Sequence, residues 1–356
     1  MLNGDRNLIH KDRSILDALR QIDSLPNRGN RTLFVTDGQQ KLIGSLSDGD
    51  CRRFLLSTKN LDAPVELAMH RDFVYLRQHD TNIDVIKRIK ALDIRYVPEL
   101  NPDGTFRQLI DFSDGRSYLP VDAVLMAGGK GERLRPLTLD TPKPLLKVDG
   151  KPIIEYNVEN LLHYGVSDIT ITVNYLAGQI ESYFAEKSRS CSARFSCIRE
   201  PQFLGTMGAV RFVPEWRHDT VLLMNSDLFT NINLEAFYFS FVESGADMCV
   251  AGVPYNVNIP YGIFTFGEDG RVTGMQEKPS FYYYANAGIY LFRRPLIDMI
   301  PKGTVFHSTD MIRLLIQHNL KVTQFPIAGY WIDIGKPEDF KKVQEFARNI
   351  NRRETR

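Results

Sequence analysis

A chain of 356 residues exceeds the usual size of one domain and suits two, and 43% apolar residues suffice for real cores. Basic and acidic residues nearly cancel, leaving a formal charge of +1, so no whole-chain field draws the protein to nucleic acid or an acidic membrane. Cys51, Cys191, Cys197 and Cys249 form no CxxC pair and match no His spacing, which argues against zinc or disulfides and for reduced thiols in a cytoplasm.

The N-terminal MLNGDRNLIHKDRS lacks the basic-then-apolar pattern of a signal peptide, and no stretch of about 18 apolar residues occurs to span a membrane. Residues 1–118 then read as two similar halves. The first has a helix-period stretch SILDALRQID, the strand TLFVTD and the strand–helix junction LIGSLSDGDCRRFLL. The second has TNIDVIKRIKALD, IRYVPEL, a turn at NPDG, and FRQLIDFSD. The order helix, strand, turn, strand, helix is expected twice, an internal repeat. Each half is too small to bury a core alone, so the halves should pack together.

This region resembles a tandem pair of CBS domains. In that family the second strand ends in Gly, two residues, Ser or Thr, two more, then Asp. The hydroxyl and carboxylate hold the phosphate and ribose of an adenine nucleotide. Gly44, Ser47 and Asp50 match; in the second half Gln108, Asp111 and Asp114 occupy these places. A carboxylate where a phosphate oxygen should lie is unfavourable, so only the first site keeps the pattern. The resemblance implies an α+β tandem CBS (Bateman) module, with an adenine nucleotide at Ser47 and Asp50 and association into a homo-oligomer. The alternative is a packing or dimerisation element with no ligand.

After SYLPVD, 117–122, the pattern changes. Strand-like VDAVLMA, DITITVN, TVLLMNSD and ADMCVAGV alternate with amphipathic helices such as PIIEYNVENLLHYG, where Ile154, Val158, Leu161 and Leu162 share a face. This alternation predicts an α/β fold, a mostly parallel Rossmann-like sheet with helices on both faces, over 121–350. GIFTFGEDGRVTGMQEK should form a hairpin turning at Asp269-Gly270, with ANAGIYLFRR after it. A helix is expected from Pro337, and 351–356 reads as a frayed, solvated end.

In open α/β sheets, ligands collect at the carboxyl ends of strands. AGGKGERL lies at such an end, where Gly128, Gly129 and Gly131 let the backbone aim N–H groups at anionic oxygens. Lys130, Arg133, Arg135 and Lys143 surround the loop with cations, as a triphosphate cradle requires. The string matches neither a P-loop nor a dinucleotide fingerprint, and glycines alone also make plain turns. Asp227 ends an apolar strand and would by itself pass for a turn cap. Asp333, between Ile332 and Ile334, is costly to bury unless something pairs with it.

The ordered run from Ala127 to Leu134, then Pro136-Leu137-Thr138 and Pro142-Lys143-Pro144, resembles the sugar-1-phosphate nucleotidyltransferases. The resemblance implies transfer of a nucleotidyl group from an NTP to a sugar 1-phosphate, with release of pyrophosphate. It implies Mg²⁺ on Asp227 and Asp333, with Ser226 where the commoner pattern has Gly. By the same resemblance Arg133 would stabilise pyrophosphate, and Lys143 the triphosphate or transition state. Lys278 would contact the sugar phosphate, Glu277 and Asn286 the sugar hydroxyls, and Gly262 and Gly288 would leave room for the ring.

The base-reading loop is expected in REPQFLGTMGAV, with Glu200 near enough to read paired donors and Gly205, Thr206 and Gly208 in close approach. This segment and GYWIDIGKPEDF look most like guanylyltransferases acting on mannose-type, heptose or glucosamine 1-phosphates. The CBS-first arrangement resembles the glucosamine-1-phosphate guanylyltransferases of bacterial legionaminic acid synthesis. UTP and dTTP enzymes share most of these residues, and a catalytically silent regulatory homologue would share the fold. The chain ends without hexapeptide repeats, so no acyltransferase activity is expected.

Overall fold

The protein is known from a computed structural model that describes residues 4–25, 31–77, 83–113, 116–191 and 193–354, with side chains through 349. It divides into two compact units, Met1–Pro120 and Val121–Arg356.

The first unit contains β1 (Leu8–His10), α1 (Ile15–Ser24), β2 (Thr32–Thr36), β3 (Leu42–Ser47), α2 (Asp48–Thr58), β4 (Leu76–Arg77), α3 (Ile83–Ala91), β5 (Tyr96–Leu100) and β6 (Phe106–Asp111). Two three-stranded sheets share one topology. β1 runs parallel to β2, which is antiparallel to β3; β4, β5 and β6 repeat this arrangement. The halves meet on Phe34, Leu42, Leu100 and Leu109, as their small size demanded. The repeat is incomplete. After β6 the described residues hold no counterpart of α2, and the chain runs through buried Tyr118 and Leu119 towards the next strand. Asp114, expected at the second ligand position, lies outside the described residues, as do Thr81 and Asn82 of the expected second helix.

The second unit begins with β7 (Val121–Ala127), β8 (Lys147–Val148), β9 (Lys151–Pro152), α4 (Ile153–His163), β10 (Asp168–Val173), α5 (Ala177–Ser190), β11 (Arg194–Arg199) and β12 (Thr220–Asn225). It continues through β13 (Leu228–Thr230), α6 (Leu234–Ser244), β14 (Met248–Asn258), β15 (Ile263–Phe266), β16 (Val272–Gln276), β17 (Ser280–Arg293), α7 (Ser308–Gln317), β18 (Val322–Pro326), β19 (Trp331–Asp333) and α8 (Pro337–Glu354). The main sheet has seven strands in the order β11-β10-β7-β12-β17-β14-β18. All neighbours are parallel except around β17, which runs against both β12 and β14. The sheet is therefore mixed, because the segment between β14 and β17 returns as a hairpin rather than a crossover.

Val121 to Leu125 of β7 are all buried, so both faces of the central strand are covered. One face packs Val124, Val221, Leu223, Tyr290 and Phe292 against Met311 and Leu315 of α7. In a second cluster, Phe229 and Ile334 gather with Ile153 of α4 and with Val343 and Ala347 of α8. In α4, Ile154, Val158 and Leu161 are fully buried, while Leu162 is only partly so, because Ile153 takes the inner place. The helix α8 continues to Glu354, past the expected boundary at 350, into the segment expected to be frayed; Thr355 and Arg356 lie outside the described residues. Amphipathic spacing in FKKVQEFARN, with Val343 and Ala347 inward, carries that helix on.

Beyond Val253 and Ala285, β14 and β17 leave the sheet and continue as a two-stranded arm, paired as far as Asn258 and Ser280. The hairpin β15–β16 forms its tip, turning at Asp269-Gly270 as its sequence predicts. Among the described residues no helix is long and apolar enough to cross a membrane.

Candidate active site

β7 delivers Ala127 to the carboxyl edge of the sheet, and the glycine run follows at once. Gly128 lies against the carboxylate of Glu200, so close that a Cβ would stand 2.5 Å from Oε1. Only glycine tolerates that approach. Glu200 itself is buried, and its Oε2 accepts from Leu204 N at 3.0 Å. Burial pushes its carboxyl above the usual range, opposed by the Leu204 N–H and the Thr172 hydroxyl. The expected base reader is thus engaged in holding its own loop. Downstream, the Thr138 hydroxyl donates to Gly131 O at 2.8 Å, and the Tyr175 hydroxyl bridges the carbonyls of Thr138 and Leu139 (3.0 and 2.9 Å). These bonds fold the proline-rich segment back beneath the loop and bring Lys143 in.

The two aspartates are brought together by backbone pairing. β13 and β19 are antiparallel with Leu228 opposite Asp333, and Ile334 N donates to Asp227 O at 3.2 Å. Lys143 lies between the carboxylates, hydrogen-bonded to Asp227 Oδ2 and 4.0 Å from Asp333 Oδ1. Burial and the neighbouring Asp227 raise the Asp333 carboxyl above its usual range, against the pull of Lys143 and Arg133. Asp227 Oδ1 is buried with no hydrogen-bond donor. An orphaned carboxylate oxygen in a cluster of this kind suits a cation ligand, since leaving it bare costs about 1–3 kcal/mol. Ser226, in the place where glycine was expected, bonds through its hydroxyl to Met126 O at 2.6 Å and so locks the end of β12 to β7.

The cavity here measures about 660 Å³, within the roughly 300–1,000 Å³ of small-molecule sites. It gathers Ala127, Gly128, Gly129, Gly131, Arg133, Lys143, Glu200, Gly205, Thr206, Asp227 and Asp333 on one surface. Gly262, Glu277, Lys278, Asn286 and Gly288 are not among its lining residues. Glu277 and Lys278 are exposed on the arm, and Gly262 packs against the Glu277 carboxylate. The Asn286 side chain accepts from Gly288 N at 2.9 Å, and Gly288 backs onto Asn225 at the point where β17 bulges. The expected sugar residues thus form a second group, on β17 and the arm. Sequence reasoning missed Asn174 and Asn225, which line the cavity from strand ends, and Phe203, an aromatic 52% exposed at its wall. Their signal was available: polar residues at the carboxyl ends of β10 and β12.

A family model described as nucleotidyl transferase matches residues 122–350. This chain belongs to the nucleotidyl transferase family. Relatives include a mannose-1-phosphate guanylyltransferase of Mycobacterium tuberculosis, 31% identical over 227 residues, covering 62% of each chain. A mannose-1-phosphate guanyltransferase beta-B of Xenopus laevis is 28% identical over 61% of this chain and 62% of its own. A UTP–glucose-1-phosphate uridylyltransferase of Synechocystis is 29% identical, covering 61% of each. The chain spans about 62% of the length of the curated relatives it matches. A candidate glucose-1-phosphate thymidylyltransferase from Bacillus anthracis superposes with a TM-score of 0.51 at 22% identity, covering 64% of this chain and 95% of that one, a likeness of fold alone.

The nucleotidyl transferase sheet carries a second acidic cluster, Asp122, Asp168 and His218, at the amino edge of β7, β10 and β12. Asp122 Oδ2 accepts from Arg217 N and His218 N (2.9 and 2.8 Å), while Asp168 pairs with Arg194 and Arg217. Burial pushes Asp122 up to about 6 in spite of the two N–H bonds. In the first unit, Ser47 and Asp50 form a capping box on α2, with Asp50 Oδ2 accepting from Ser47 N at 2.8 Å and from Ser47 Oγ at 2.6 Å. Burial would raise Asp50, but these bonds and Arg53 outweigh it and hold the carboxyl below its usual range. Asp50 also lines a cavity of about 390 Å³ with Arg53, Ser57, His70 and Arg71.

Proposed function

We propose that the chain transfers a nucleotidyl group from an NTP to a sugar 1-phosphate, releasing pyrophosphate. The observation that carries this reading is the meeting of Asp227 and Asp333 at Lys143 beside the glycine loop. Backbone N–H groups of Gly128 to Gly131 would hold phosphate oxygens, with Arg133 on the departing pyrophosphate and Lys143 on the triphosphate. Asp227, with its orphaned Oδ1, and Asp333 would hold a divalent cation, Mg²⁺, which would supply charge neutralisation at the reacting phosphates. A sugar phosphate oxygen attacks the α-phosphorus in line, one P–O bond forms as the bond to pyrophosphate breaks, and no net redox change occurs. The protein's part is positioning and charge neutralisation. Glu277, Lys278 and Asn286 would meet the sugar phosphate from β17 and the arm.

GTP is the favoured nucleotide and a glucosamine- or mannose-type 1-phosphate the favoured acceptor. The guanylyltransferase names of the relatives support the base, and a role in legionaminic acid synthesis is read from the resemblance of the CBS-first arrangement alone. The test is a pyrophosphate-release screen of the five common NTPs against several sugar 1-phosphates, in the cytoplasmic setting of a reduced protein. Turnover only with UTP or dTTP would move the base assignment. Binding without turnover would make the chain a silent regulatory homologue.

Residues 1–118 are read as a CBS pair that binds an adenine nucleotide at Ser47 and Asp50, beside the cationic Arg53, His70 and Arg71. Calorimetry of AMP and ATP on the full chain checks this, and equal heats from the wild type and Asp50→Asn would end it. Self-association is read from the arm, through contact with a second copy. Phe264 pairs with Met275 and Phe266 with Val272 on one face, each more than half exposed. The exposed tyrosines of β14 and β17, Tyr255, Tyr282, Tyr283 and Tyr284, add aromatic surface to the arm. β14, β15 and β16 carry no charged residue, so the charges of the arm are confined to its connecting segments, at Glu268, Asp269, Arg271, Glu277 and Lys278, and the strand faces are left for a second copy about a two-fold axis.

A further inference from the structure

The turn Leu204–Gly208 is held in place by the segment that leads into α7. Phe306 N donates to Leu204 O at 2.9 Å, and Met207 N and Gly208 N both donate to Phe306 O at 3.0 Å. Gly205, at φ +80°, comes so near that a Cβ would stand 2.7 Å from Phe306 O and 3.0 Å from His307 Nδ1. Thr206 is the residue of this turn that lines the cavity with a hydroxyl, and it is held from the same segment. Its N–H faces His307 Nδ1 at 3.4 Å, its hydroxyl oxygen accepts from Ser308 N at 2.9 Å, and Ser308 Oγ lies 3.2 Å away.

The chain of bonds does not stop there. The Ser308 hydroxyl donates to the Tyr290 hydroxyl at 2.8 Å, with both residues buried, and Tyr290 stands on β17, the strand that also carries Asn286. Tyr290 otherwise belongs to an apolar cluster with Val124, Leu223, Met311 and Leu315, where phenylalanine would fill the same space. The hydroxyl adds only the link. Buried hydroxyls satisfied by one another fix geometry tightly, because each loses its partner if the other moves.

We infer that Ser308 and Tyr290 are positioning residues that tie Thr206, on the nucleotide side, to β17, the strand that carries Asn286. The Thr206 turn and β17 can shift apart only by breaking the part-buried Thr206–Ser308 bonds or the buried Ser308–Tyr290 bond, so occupancy by one substrate steadies the contacts offered to the other. This inference rests on reading the cavity as the NTP site and β17 as the sugar side.

The test compares Tyr290→Phe, Ser308→Ala and the double variant with the wild type, by initial rates with both substrates varied and by urea unfolding. Each single variant should raise the KM of both substrates, by about tenfold, with kcat changed by less than about twofold. The double variant should lose no more than either single one, because the hydroxyls act as one chain. Ser308→Thr, which keeps the hydroxyl, should restore most of the loss. An unchanged KM for either substrate overturns the inference, as does a double variant whose losses multiply. A wild type that binds GTP without turnover removes the functional reading but leaves this one measurable: the GTP Kd must weaken in the variants, and an equal Kd overturns it. Absence of any NTP binding by the wild type ends both.

Discussion

The sheet has acidic side chains at both of its edges, and the two groups differ in who satisfies them. At the amino edge, Asp122 is met by two backbone N–H groups and Asp168 by two arginines. At the carboxyl edge, Asp227 keeps a buried oxygen without a donor, and Asp333 sits with a raised carboxyl beside a lysine shared between them. The carboxylates at the amino edge are saturated by the protein itself; those at the carboxyl edge are left short, which is what the proposed cation site requires. Charge count alone would have ranked the edges alike.

That contrast is open to attack by substitution. Asp227→Asn should cut pyrophosphate release by on the order of 10³-fold with far-UV circular dichroism unchanged, and near-native turnover would contradict the assignment of the carboxyl edge. Lys143→Met should cost on the order of 10²-fold, since it removes the cation but leaves both carboxylates, and the same assay reads it. At the amino edge, Asp122→Asn should leave turnover within about twofold. Because Asp122 is raised to about 6 from the ordinary 3.8, its folded form holds a proton that the unfolded chain gives up. Its contribution is therefore fully present below about pH 4 and is lost as pH rises to about 6. Urea titrations of variant and wild type should diverge across that window in favour of the asparagine, and parallel curves would show the residue to be ordinary. The mildest change is Phe264→Ser with Phe266→Ser, which should halve the sedimenting mass while leaving the unfolding midpoint within experimental scatter.

Much of this was legible in the residues. Loop and carboxylates sit at strand ends, where a run of apolar residues stops at a Gly or an Asp, and periodicity finds such ends. β17 was harder: ANAGIYLFRR reads as a strand, yet nothing local states that it runs against its neighbours. Glu200 was legible as a carboxylate near the base-reading loop, and it lines the cavity, but spacing says nothing of the Leu204 N–H that donates to its Oε2. The repeat in the first unit was legible through α3 to β6, and the absence of a last helix among the described residues was not, since FSDG could open one as readily as end a strand. His307, Ser308 and Tyr290 left no pattern at all. Their partners lie 18 to 102 positions away, and only folding brings them together.

The bulge between Val250 and Gly252 has a mechanical consequence. β14 and β17 run on without a break from the core into the arm, so that bulge is a fulcrum and the arm a lever. At about 3.3 Å per residue, Ser280 stands roughly 30 Å from Tyr290 along the strand. A tilt of about 5° at the fulcrum would sweep the tip through about 3 Å, the length of a hydrogen bond. Small repacking beneath Gly288 is thereby magnified at Lys278, and the residues that decide where that ammonium reaches are core residues far from it.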